Sequence, residues 1–228
     1  MLEDRITDLK KRILTYTNFT KEMVRKAISS LLNDDQKLAK EVIEIDEPKA
    51  NEEENSIEEE CITTIALYQP EAKKLRFVMM IYKMVSDIER IGDKAVNIAE
   101  SALELTGKPR IKPLIDIPRM TEETIRMIED SICAFINEDV SLAYEVLKKD
   151  DLVDSIRDQI LRELITYMIS DPKIIEPALH LLRIARNLEK IADITSNICE
   201  DAVYISEGKI IKHHYPDICG EGDAQKVR

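Results

Sequence analysis

The chain has 228 residues and a formal net charge of −12, with 34% charged and 44% apolar side chains, which is the balance of a globular chain rather than a disordered one. That acidity argues against nucleic-acid binding, which needs a basic face to neutralise phosphates, and against electrostatic docking on anionic lipid. Five glycines and 4% aromatics favour helices over a sandwich or barrel.

The first predicted helix begins at once. Leu2, Ile6, Leu9, Ile13, Tyr16, Thr20, Met23 and Ala27 alternate four and three apart, a heptad seam for packing along other helices. Asn33-Asp34-Asp35 ends it and caps the next. A second helical stretch runs from about residue 35 to Gln69, interrupted near Pro48 because proline ends, kinks or starts a helix. Gln69-Pro70 closes it. A third helix covers about Glu71 to Thr106, and Gly107 stands where a C-terminal cap belongs.

Residues 107–118, GKPRIKPLIDIP, form the best linker in the chain. After it a fourth helix begins near Met120 and ends at Asn137-Glu138-Asp139. A fifth runs from about residue 139 to Ser170, with a break expected at Asp150-Asp151. Asp171-Pro172 mirrors Gln69-Pro70. A last helix reaches about Glu207, where Gly208 mirrors Gly107. The expected fold is all-α: two similar antiparallel three-helix bundles from an internal duplication, at 1–106 and 119–207. Residues 208–228 read as a polar, loose tail.

No stretch approaches a membrane span and no leader opens the sequence. Cys61, Cys133, Cys199 and Cys219 stand far apart without a CxxC pair, as in a cytoplasmic protein with reduced thiols.

The duplication is sharpest where DIERIGDKAVNIAE at 87–100 recurs as NLEKIADITSNICE at 187–200. With Glu89 as zero, Asp93 falls near about 40°, Glu100 near about 20° and Asn97 near about 80° around the helix. Glu189, Asp193, Asn197 and Glu200 repeat this face. Ile88, Ile91, Ala95 and Ile98 point the other way, towards a core. The preceding helix carries a matching stripe of Glu47, Asn51, Glu54 and Glu58. Its counterpart is thinner: Asp150, Asp154 and Asp158, with Arg157 and Leu161 where Glu54 and Glu58 would map.

Facing acid stripes repel unless a positive charge lies between them. Hard oxygen donors suit Mg²⁺, Ca²⁺, Mn²⁺ or iron rather than a thiophilic metal. The competing reading is a solvated acidic face partnered by Arg90, Arg186 and Lys190, or a stripe that meets basic protein partners without metal. His180 lies on the opposite face from Glu189, and His213-His214 fall in the tail as a weak candidate pair. An enzyme reading finds no support: ExxH, HExxH, Walker A, GxSxG and GxGxxG are all absent.

DIERIGDKAVNIAE, its second copy ARNLEKIADITSNICE, and the turns YQPEAKKLR and TYMISDP together resemble the PhoU family of bacterial phosphate-specific transport accessory proteins, over about residues 1–212. The resemblance implies two three-helix bundles, often dimeric, with multinuclear iron or zinc clusters on E(D)xxxD motifs. It implies metal ligands at Glu89 and Asp93, and at Glu189 and Asp193. Glu47 with Asn51, and Asp150 with Asp154, are the partner-helix pairs; Asn97, Glu100, Asn197 and Glu200 extend the sites. It further implies a non-enzymatic cytoplasmic negative regulator of the phosphate regulon, peripheral at the inner membrane through its partners. Those partners are the ATPase of the phosphate ABC transporter and a phosphate-sensing histidine kinase. Lys74 departs from the family, which commonly has Asp there. Ala192 replaces the Gly of the first copy, and Asn51 gives the first site a neutral oxygen where the second has Asp154.

Overall fold

The computed structural model describes residues 1–207, so Gly208, His213, His214, Cys219 and the rest of the expected tail lie outside the described residues. Among the described residues seven α-helices follow one another: α1 (Leu2–Asn33), α2 (Gln36–Glu41), α3 (Glu47–Tyr68), α4 (Ala72–Leu105), α5 (Asp116–Asn137), α6 (Val140–Ser170) and α7 (Ile175–Glu207). Among the described residues none of these helices is long and apolar enough to cross a membrane.

The heptad seam of α1 is buried as its spacing predicts, with Leu9, Ile13, Tyr16, Thr20, Met23 and Ala27 all inside. It packs chiefly on α4, and α3 closes the first bundle against both. In the second bundle α5, α6 and α7 pack pairwise. The duplicated helices α4 and α7 also pack on each other, so they form a spine shared by both bundles. Ile88, Ile91, Ala95 and Ile98 on α4, and Ile191, Ile194 and Ile198 on α7, fill its interior. Burying each of these isoleucine side chains contributes roughly 1.5–3 kcal/mol.

A polar and an aromatic contact are among those that join the two bundles. Lys83 of α4 grips the buried Asp201 of α7 at 2.6 Å. Phe77 of α4 stacks on Phe135 of α5 with ring centres 5.3 Å apart.

The second helical stretch is interrupted near Pro48 as expected: Val42–Asp46 form a π-helical turn that joins α2 to α3, with Glu47 N–H donating to the Val42 carbonyl, and Pro48 falls in the first turn of α3. Proline has no N–H to give, and its ring crowds the carbonyl four residues back; a widened turn relieves both. Lys26 of α1 holds this turn through Asp46 at 2.8 Å and Glu41 at 2.6 Å.

The expected break at Asp150-Asp151 is absent: α6 is continuous from Val140 to Ser170. The apolar face passes beneath the acids through Val146, Val153, Ile156 and Ile160, all buried, so packing overrides the local weakness of two aspartates. The linker is also shorter than expected. α5 starts at Asp116, with Pro118 inside the first turn, where a missing N–H costs nothing. Gly107 takes the left-handed conformation expected of it, with φ of 73°.

Candidate metal centre

In the first bundle, α3 and α4 bring Glu54, Glu58, Glu89 and Asp93 together between them. Each is half-buried. Burial, then the charges of Asp93 and Glu54, pushes the Glu89 carboxyl up to about 7. Glu54 is raised as well, by burial first and then by Glu58 and Asp93. Such shifts mark negative charges held close without a compensating cation.

The neighbouring acids are placed differently. Glu53 and Glu60, off the stripe, are taken by Arg12 at 2.8 and 2.7 Å. Arg90, beside Glu89 in the sequence, turns away to Asp87 at 3.0 Å. Lys94 acts on Glu89 only at a distance. Among the described residues no ion pair reaches Glu54, Glu58, Glu89 or Asp93.

Tyr16 of α1 completes this site, although its spacing alone marks it as a core residue. Its side chain is buried, and its hydroxyl has no hydrogen-bond partner. Burial, then the charges of Glu54, Glu89, Glu53 and Asp93, pushes its phenol well above the ordinary range. A phenol on a buried heptad seam always needs an acceptor, and that requirement was the available signal.

The other predicted members of the first site do not join it. Asn97 and Glu100 are engaged by Arg183 of α7, at 2.8 and 2.9 Å, so they belong to the spine between bundles. Asn97 also donates to the Asp93 carbonyl. Asn51 is exposed, its carbonyl accepting from Asn55. Glu47 is half-buried at the first turn of α3.

The second bundle uses the same helical positions with different chemistry. Lys190 Nζ lies 2.6 Å from Asp193 and 3.4 Å from Glu189. Arg157 lies 3.3 Å from both Asp154 and Asp158. Asp150, half-buried, is pushed up to about 6 by burial and then by Asp193, Asp154 and Asp151. The Ser196 hydroxyl leans towards Asp150 and lowers it in part, at a geometry that falls short of a full hydrogen bond. Asn197 is exposed and Glu200 half-buried.

Among the described residues no three acidic, histidine or cysteine side chains converge closely enough to enclose one ion. The donor set of the first bundle nonetheless suits a hard cation: four carboxylates from two helices, unpaired, with a buried hydroxyl beside them. The second bundle fits a cation poorly, because a lysine and an arginine already occupy the place of one.

Comparison with known proteins places the chain. A family model described as the PhoU domain matches residues 13–102 and again 117–202. The phosphate-specific transport system accessory protein PhoU homolog of Aquifex aeolicus is 44% identical over 216 residues, covering 95% of this chain and 97% of that protein. The PhoU protein of Escherichia coli K12, with the same accessory description, is 35% identical over 208 residues, 91% of this chain and 86% of its own length. The crystal structure of PhoU from Pseudomonas aeruginosa superposes with a TM-score of 0.86 at 32% identity, across 92% of this chain and 100% of that one. With two PhoU domains in tandem and relatives of this similarity along nearly its whole length, the chain belongs to the PhoU family.

Proposed function

We propose that this protein is a regulatory accessory protein of phosphate uptake. It acts in the cytoplasm as a non-enzymatic adaptor that links the phosphate ABC transporter ATPase to a sensor histidine kinase and restrains the phosphate regulon. The observation that carries this reading is the match to phosphate-specific transport accessory proteins from end to end, 95% of this chain and 97% of the Aquifex aeolicus relative. The test is expression in a bacterium deleted for its own PhoU. Restored repression of a phosphate-controlled reporter in phosphate-rich medium is the expected result; a reporter that stays on overturns the reading.

A metal role extends it. Glu54, Glu58, Glu89 and Asp93 would hold the ion, and a bound cation would supply the positive charge that the stripe lacks. The residues themselves set the distance between α3 and α4, which shapes the outer surface available to partners. Iron, zinc, manganese, magnesium and calcium are the candidates, in one ion or a cluster.

The alternative is a metal-free helical interaction scaffold, and one observation favours it: no three acids enclose an ion among the described residues. A ligand that binds only the folded state raises its melting temperature. Melts with chelator and with added divalent ions therefore separate the two readings. A homodimer is part of the proposal, and the solution mass tests it.

A further inference from the structure

We infer that the two acidic stripes have diverged, so that the first bundle alone takes a multivalent cation while Lys190 and Arg157 serve as resident cations in the second. This rests on the metal reading above and sharpens it to one site of stated composition.

Three differences between the bundles carry the inference. The first is the direction of the basic residue inside the motif. Arg90 turns out of the first stripe to Asp87, while Lys190 turns into the second, to Asp193 and Glu189. A lysine ammonium between two carboxylates occupies the position that a metal ion would take.

The second is the partner helix. Glu54 and Glu58 of α3 are carboxylates without ion pairs, whereas α6 carries Arg157 and Leu161 in the corresponding places. Arg157 neutralises Asp154 and Asp158. Of the stripe acids on α6, Asp154 and Asp158 are therefore already satisfied, and only Asp150 is left without an ion pair among the described residues.

The third is independent of the acids. Tyr16 points a buried hydroxyl with no partner at the first stripe. Thr20 and Met23 of α1 recur as Thr124 and Met127 of α5, so Met120 holds the place of Tyr16 in the second bundle. It is fully buried and carries no hydroxyl, and the second bundle's own unpartnered hydroxyl, Ser196, lies on α7 beside Asp150 rather than across the stripe on α5. A buried donor left without a partner is costly unless an occupant completes its environment.

The experiment uses the full chain, stripped with chelator and dialysed against Mn²⁺ and separately Zn²⁺, with bound metal read by elemental analysis. Isosteric pairs keep the packing: Glu89→Gln with Asp93→Asn, and Glu189→Gln with Asp193→Asn, each checked for helicity by circular dichroism. The first pair is expected to lose the bound metal, and the second to keep the wild-type content. Lys190→Met with Arg157→Met is expected to gain metal over wild type. Equal loss from both isosteric pairs, or loss from the second alone, overturns the divergence and leaves the metal reading standing. Wild-type protein that takes up neither ion overturns the metal reading and the divergence with it.

Discussion

Lys190 and Asp193 form an ion pair of 2.6 Å one turn apart on α7, and the same lysine reaches Glu189 at 3.4 Å. Among the described residues the matching acids of the first copy, Glu89 and Asp93, have no ion pair; the basic residue at the same motif position, Arg90, pairs with Asp87 instead. Lys190→Met should therefore destabilise the metal-free protein. The side chain is partly exposed, so the loss is at most about 1 kcal/mol and shrinks as salt screens the pair. Urea midpoints at low and high ionic strength measure it.

Metal-free protein should lose stability as pH rises from about 4.5 to about 7. Glu89 has a folded-state pKa of about 7, raised from the ordinary 4.5 by burial and then by Asp93 and Glu54. The native state thus holds a proton that the unfolded chain has already released, and the stabilisation is complete only below the unfolded value. Glu89→Gln should flatten this slope. Denaturant midpoints in chelator at a series of pH values are the check; an unchanged slope would sink the assignment.

Tyr16→Phe removes a buried hydroxyl that has no partner. In chelator the variant should be as stable as wild type or more so, by up to about 1 kcal/mol, because an unsatisfied donor is deleted with little change in packing. A clear destabilisation would mean the hydroxyl is already bonded in the metal-free protein.

Gly92→Ala should stabilise the protein by about 0.5–1 kcal/mol. Gly92 lies within α4 with ordinary helical φ, and an added Cβ would meet Met23 and Thr20 at 3.7 Å, a normal van der Waals distance. The second copy already carries Ala192 at this place. Thermal melts of the two proteins decide it.

Thiol reactivity should divide by burial. Cys133 is exposed and should alkylate in the native protein, while Cys61 and Cys199 are buried and should react only on unfolding. Burial, followed by Glu60 and Glu58, pushes the Cys61 thiol up to about 12, so little reactive thiolate forms while the fold stays closed. Peptide mapping after timed alkylation reads each cysteine separately.

The bundle architecture was legible because it rests on periodicity. The α1 seam and the apolar face of α4 follow directly from spacing. Pro48 marked a real interruption, the π-helical turn that precedes α3, whereas Asp150-Asp151 misled because it is a local helix breaker on a helix whose buried face continues past it. At the linker, Ile117 and Met120 are both buried, so packing draws the start of α5 back to Asp116.

The site was legible in part. Helical angles alone bring Glu89 and Asp93 onto one face, and Glu54 with Glu58 onto the other. They fail for Glu100, because an angular projection discards height: eleven residues further along, it stands about 16 Å up the helix axis from Glu89. There it meets Arg183 of the other bundle, a neighbour that no single-helix argument contains. Likewise, Arg90 and Lys190 occupy the same motif position, and only their surroundings decide which one turns inwards.

The spine of α4 and α7 bears on how the protein would behave under limited proteolysis. Residues 107–115 lie outside any helix, and Gly107, Pro109, Arg110, Pro113 and Ile115 are exposed there. A cut in this stretch would divide the polypeptide without dividing the interior. Lys83 with Asp201, Arg183 with Glu100, and Phe77 with Phe135 all cross from one half to the other. The two fragments would stay together as a complementing pair, running as one species under native conditions and as two only in denaturant.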